Sequence, residues 1–257
     1  MRDNQPKTVL ITGATGGIGR ALALQYAEPD KVLILLGRNE TVLTELADRC
    51  REQGSRAITL AIDLRDRTTL MDRLSLLCNT EPVDLAIVNA GVNTNIGQDG
   101  AGEQWPAVEE LLEVNIMAGM ATVHAILPSM RRRGQGQIAL ISSLAAYHGL
   151  PLTPSYSASK AALKTYGEAL RGWLAPEGIR VNVVMPGYVQ SDMCHAMPGP
   201  KPFLWSAERA ARVIRSGLAA DRPRISFPFP LNLGTWFLAV LPAAVSLRIL
   251  ALLGYRG

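Results

Sequence analysis

Three cysteines in 257 residues, at positions 50, 78 and 194, are too few and too scattered to staple a fold. No Cys-x-x-Cys occurs, so neither a disulfide framework nor a zinc site is suggested. No metal is expected, and reduced, cytoplasmic surroundings are the default. Aromatic residues make up 5% of the chain, which argues against a platform for stacking single-stranded nucleic acid. Charge gives a nucleic-acid partner no better footing. The 26 basic and 22 acidic residues are interspersed, and the one basic cluster, Arg131, Arg132 and Arg133, reads as a solvated helix end. Residues 1–13 are polar and then strand-like, so no secretory signal is expected. Repeats and low-complexity linkers are also missing, and the length suits one large α/β domain over residues 1–257.

What is present is a rhythm. At 48% hydrophobic residues the chain can bury a full core. Residues 7–12, 32–36, 57–62 and 85–89 are short, apolar and β-branched, and read as strands alternating with helical stretches. That alternation predicts a parallel, doubly wound sheet with helices on both faces and ligands at the carboxyl ends of the strands. The first strand runs into GATGGIG and a helical segment, which places Gly13, Gly17 and Gly19 at a strand-to-helix turn. Such a turn lets the backbone and a helix N-terminus approach a pyrophosphate, although it also serves as a plain tight connection. After the second strand, Gly37 stands where an acidic residue would bind a ribose 2′-hydroxyl, and Arg38 follows. A guanidinium there favours a 2′-phosphate, hence NADP(H) over NAD(H), unless Arg38 is an ordinary loop residue. Asp63 and Leu64 follow the third strand, and Asn89, Ala90 and Gly91 end the fourth. Residues 92–102 read as a loop. A helix beginning near Trp105 carries Leu111, Val114 and Met117 at core spacing, with Asn115 among them.

Residues 143–160 hold the chemistry. Tyr156 and Lys160 are four apart, on one face if they begin a helix, and Ser143 lies thirteen residues before the tyrosine. A phenol is a poor acid or base at neutral pH, but a neighbouring ammonium pulls its pKa down. Ser143 can then hold a carbonyl oxygen while Tyr156 gives it a proton, chemistry suited to a ketone and its alcohol. Taken alone, the pair reads as readily as a surface lysine beside a packing tyrosine.

Together, Thr12-Gly13-x-x-x-Gly17-x-Gly19, Asp63, Asn89-Ala90-Gly91, Asn115, Ser143, Tyr156-x-x-x-Lys160 and Pro186-Gly187 resemble the short-chain dehydrogenase/reductase family, over about residues 7–195. The resemblance implies a Rossmann-type fold, with Tyr156 as acid/base, Ser143 positioning the substrate oxygen and Lys160 lowering the phenol pKa and holding ribose hydroxyls. Asn115 would hold the backbone open for a proton-relaying water. Thr15 and Ile18 would join the glycine turn in binding the cofactor, with Asp63 and Leu64 at the adenine and Asn89, Ala90 and Gly91 along it. Pro186 and Gly187 would lie beside the nicotinamide, with Val189 and Ser191 near its carboxamide. The basic residue that many NADP-preferring members carry before the second glycine is replaced here by Gly16, leaving Arg38 to carry that preference.

Residues 188–205 form the expected substrate loop, within a loop and helix region of about 192–225. Met193, Met197, Phe203, Leu204 and Trp205 make either an apolar pocket wall or ordinary packing. His148 and His195 are placed to border the pocket. A helix over 206–219 and a last strand at 224–227 follow. The apolar extension, about 228–257, holds an uncharged stretch, 233–247, short of the roughly 20 residues of a spanning helix and broken by Pro242. It reads as a lid over the substrate, an interfacial segment with Trp236 and Phe237 inserted, or a subunit contact; exposed apolar surface of this length favours membrane-surface association or an oligomer. The leading expectation is an NADP(H)-dependent oxidoreductase for a hydrophobic alcohol or ketone. Its rivals are a 3-oxoacyl-thioester reductase and a non-catalytic cofactor-binding regulator. By the resemblance, pairing through helices at 107–126 and 163–174 would give a dimer or tetramer.

Overall fold

The structure, a computed structural model, describes residues 5–97 and 100–255. Positions 1–4 of the polar start, 98 and 99 of the expected loop, and 256–257 of the extension lie outside the described residues. Seven strands, all parallel, form one sheet in the order β3-β2-β1-β4-β5-β6-β7. They are β1 (Thr8–Thr12), β2 (Val32–Gly37), β3 (Arg56–Ala61), β4 (Leu85–Val88), β5 (Gly136–Ile141), β6 (Ile179–Pro186) and β7 (Arg224–Phe227). The helices between them are α1 (Gly17–Tyr26), α2 (Glu40–Glu52), α3 (Arg67–Thr80), α4 (Trp105–Leu112), α5 (Ala118–Arg133), α6 (Pro154–Leu174), α7 (Asp192–Ala196) and α8 (Ala207–Ala219).

Strand alternation divides the core in two. Val9, Ile11, Leu33 and Leu35 pack with Leu22, Leu43 and Ile214 on one face, while Leu10, Ile34 and Leu36 pack with Leu74, Ile126 and Leu170 on the other. Helices covering both faces explain why the strands are apolar throughout rather than alternating with polar residues. The chain steps from the edge strand β3 back to β4, beside β1. That reversal opens a crevice at the carboxyl ends of β1 and β4, where the glycine turn and Asn89 meet.

Two details depart from the sequence reading. β5 is an additional strand that its Gly136 and Gln137 start conceals. The helix near Trp105 is not uniform: Glu113–Met117 winds as a π-helical turn between α4 and α5. The extra residue of such a turn rotates the next residues about the helix axis, so Leu111 and Val114 are buried as expected while Met117 is exposed. Residues Trp105–Arg133 are long and apolar enough to cross a membrane by length and composition, but this segment is mostly buried as a core helix. The extension folds as two short helices, α9 (Leu231–Val240) and α10 (Ala243–Leu252), parted at Pro242.

Candidate active site

A cavity of about 960 Å³ occupies the carboxyl end of the sheet and runs from the glycine turn to the C-terminal helices. Its first wall is the connection from β1 to α1. Gly13 has a positive φ of 62°, and a Cβ there would stand 2.7 Å from the Ala90 Cα, so glycine is required where the two strand ends touch. Asn89 stitches the junction, its Nδ2 donating to the carbonyls of Thr12 and Gly13 at 3.1 Å each. Thr12 Oγ1 accepts from the N–H groups of Asn89 and Ala90 at 3.0 and 3.1 Å. No side chain caps α1, so its first-turn N–H groups, with Thr15, Gly17 and Ile18 at the cavity, are left to an anionic ligand. This turn fits a dinucleotide pyrophosphate.

Arg38, Asp63 and Leu64 line the same end. Arg38 is largely exposed, and its Nη1 lies 3.3 Å from Glu110 Oε1. Asp63 is held bidentately by Arg65, whose guanidinium keeps the carboxyl below its usual range. Along the middle of the cavity lie Ala90, Gly91, Pro186, Gly187, Val189 and Ser191. The Ser191 hydroxyl caps α7 by accepting from Cys194 N at 3.1 Å.

Pro154 starts α6, which fits its fixed φ and missing N–H, and so places Tyr156 and Lys160 in the first turns. Both are buried against the cavity, with Lys160 Nζ 5.7 Å from the centre of the Tyr156 ring. Lys160 Nζ donates to Ile141 O at 3.0 Å. A Cβ on Gly91 would lie 3.2 Å from that Nζ and 3.2 Å from Asn115 Oδ1, so the glycine lets both groups approach. Ser143 accepts from Ala145 N at 3.1 Å and donates to Pro186 O at 3.5 Å. Burial pushes the phenol up, with the neighbouring Ser143 hydroxyl opposing it, and burial pulls Lys160 down to about 8.

Two expected residues do not line the cavity. Gly19 is packed behind the turn, against the Asn89 amide. Asn115 sits in the π-helical turn and spends its side chain on structure: Oδ1 accepts from Val92 N at 2.8 Å, while Nδ2 donates to Val92 O at 3.0 Å and Ser159 Oγ at 2.9 Å. Ser159, which the sequence reading passed over, donates to Tyr156 O at 2.8 Å and so joins Asn115 to α6. Ser142 likewise donates to Lys160 O at 2.7 Å.

The substrate end is apolar. Met193 and Met197 line it, as expected, but Phe203 and Leu204 are exposed and Trp205 stacks on Phe227 at 5.1 Å. His148 borders the cavity; His195 does not line it. Leu231, Phe237, Leu238 and Leu250 of the extension complete the wall.

The short chain dehydrogenase family model matches residues 7–199. An uncharacterized oxidoreductase of Myxococcus xanthus is 33% identical over 244 residues, covering 94% of this chain and 95% of its own. The ketoacyl reductase HetN of Nostoc sp. is 33% identical over 184 residues, 71% of this chain and 63% of that protein. Among solved structures, a short-chain dehydrogenase from Sphingobium yanoikuyae in complex with NADPH superposes with a TM-score of 0.78 at 24% identity, covering 95% of this chain and 94% of that one. The chain belongs to the short chain dehydrogenase family and is an NAD(P)-dependent oxidoreductase.

Proposed function

We propose that this enzyme interconverts a secondary alcohol and a ketone on a hydrophobic, lipid-like substrate, with NADP(H) preferred over NAD(H). The observation that carries the reading is the meeting of Ser143, Tyr156 and Lys160 in one cavity whose far end is an uncapped glycine turn and whose remaining wall is apolar. When bound, the nicotinamide supplies or accepts the hydride at the carbon bearing oxygen. Tyr156 gives or takes the proton on that oxygen, and Ser143 holds the same oxygen. A phenol pushed up by burial stays protonated through neutral pH, which suits the acid needed for ketone reduction. Lys160, pulled down to about 8 by burial, can exchange protons close to neutrality and would hold the ribose hydroxyls.

The cofactor preference rests on Gly37 at the end of β2 and on Arg38, whose guanidinium would exchange Glu110 for a 2′-phosphate. Copies of the chain would pair through α4, α5 and α6, where Trp105, Met117 and Trp173 stand exposed. Free, buried cysteines suit cytoplasmic surroundings.

Similarity to a ketoacyl reductase favours a second reading, a 3-oxoacyl-thioester reductase. Docking of a carrier protein on the basic cluster Arg131, Arg132 and Arg133 would favour it, but the cluster's placement does not help. Arg131 pairs with Glu177 and Arg133 with Asp84, near the start of β5 and away from the cavity at the strands' other ends. A non-catalytic regulator has no need for a tyrosine, serine and lysine buried together. Assaying bulky apolar ketones with NADPH and NADH in parallel tests the proposal. NADPH-dependent reduction is the expected result; turnover confined to carrier-linked thioesters would replace the first reading with the second.

A further inference from the structure

The C-terminal helices have two unlike sides. Inward, Leu238, Leu250 and Tyr255 are buried with Leu150, Leu152 and Tyr188. His148 Nε2 lies 2.8 Å from Ser246 Oγ, and Tyr188 meets Tyr255, whose hydroxyl donates to Pro200 O at 2.9 Å. Outward, Leu233, Trp236, Val240, Val245, Leu247 and Leu252 are exposed. Phe237 and Leu253 belong to both sides, being exposed and yet lining the cavity. The apolar exterior is therefore continuous with the substrate end of the site.

Charge says what covers it. Beyond Asp221 the sequence contains no acidic residue, and its charges are Arg222, Arg224, Arg248 and Arg256. Arg224 is paired with Glu168, whereas Arg248 is exposed on α10 among the apolar side chains. Each helix has ten residues, about 15 Å, half of the roughly 30 Å hydrocarbon thickness, so neither can span and both can lie flat. A second copy seated on this face would bring arginines together with no carboxylate of the same segment to pair them. It would also cover the cavity beside Phe237 and Leu253.

We propose that the outer face of α9 and α10 seats on an anionic lipid surface, with the cavity opening into it beside Phe237 and Leu253. A lipid-dissolved ketone then reaches the site without crossing water. The delivery half rests on the alcohol–ketone reading above; the seating half does not.

Flotation of the full-length protein with vesicles of phosphatidylcholine, alone or with a minority of phosphatidylglycerol, tests the seating. The wild type should float with the anionic vesicles. Trp236→Asp should abolish flotation, and Arg248→Glu should weaken it about fivefold or more. Neither residue lines the cavity, so turnover of a small water-soluble ketone with NADPH should be unchanged in both, which also shows that they fold. Turnover of a long-chain ketone carried in the vesicles should fall with flotation. Failure of the wild type to float overturns the proposal. So does a wild-type dimer in sedimentation that Trp236→Asp splits, which would make a second copy the occupant. Flotation without turnover of any ketone would instead overturn the alcohol–ketone reading and leave the seating intact. Equal use of the vesicle-borne ketone by wild type and Trp236→Asp would overturn delivery alone.

Discussion

Ser159 and Leu252 mark the two extremes of what surrounds one cavity. Ser159 is fully buried and bonded on both sides, to the amide of Asn115 and to the carbonyl of Tyr156. Leu252 ends α10 with 81% of its surface exposed. Around the strand ends, polar side chains are fixed by second groups: Asn89 by the glycine turn, Ser143 by Ala145, Asn115 by Val92, Lys160 by Ile141. The C-terminal helices are held by an apolar inner side and a few hydroxyl and imidazole contacts. The family match ends at residue 199, before these helices begin. The matched part is thus the interlocked one, and the C-terminal helices lie outside it.

Substitutions at the interlocked end should do the most damage. Lys160→Ala should cut turnover by about 10²-fold or more, in the range of lost acid–base help, and weaken NADPH binding as well. The wild-type ammonium, pulled down to about 8 by burial, is lost as pH rises through that value, so its KM for NADPH should climb above pH 8. Steady-state rates across pH should show this climb in the wild type and a flat KM in Lys160→Ala.

Next in size is Ser159→Ala, which removes one partner of Asn115 and one of the Tyr156 carbonyl. It should destabilise the fold by about 1–3 kcal/mol, read from urea unfolding, and lower kcat more than it raises either KM. Arg38→Ser should raise the KM for NADPH about tenfold while leaving that for NADH unchanged, as expected for losing a charge-assisted contact to phosphate. The smallest effect belongs to the C-terminal helices. Ser246→Ala should shift the KM for a bulky ketone two- to tenfold, matching a hydrogen bond worth roughly 0.5–1.5 kcal/mol, without touching the KM for NADPH. A Ser246→Ala effect as large as that of Ser159→Ala would erase the contrast between the two regions.

The interlocked region was also the more legible in sequence. Glycine spacing at 13, 17 and 19, Asn89 after a strand, and Tyr156 four before Lys160 are constrained by short-range geometry, so they announce themselves. Asn115 was legible as a residue but not as a contact, because the π-helical turn that aims it at Val92 has no local sequence code, and the same turn carried Met117 off the core. Ser159 looked like an ordinary helix serine, since its partners lie on another element. In the tail, Pro242 did foretell the break between two short helices. Which residues face inward could not be read there, because a helix apolar on all sides gives its pattern no direction.

The most direct test of the central claim is deuteride transfer from NADPH labelled at the nicotinamide C4 to a bulky apolar ketone, with wild type and Tyr156→Phe compared at saturating cofactor. The wild type should place deuterium on the carbinol carbon, while Tyr156→Phe should bind NADPH with similar affinity and transfer almost none. Transfer by Tyr156→Phe at the wild-type rate would contradict the account.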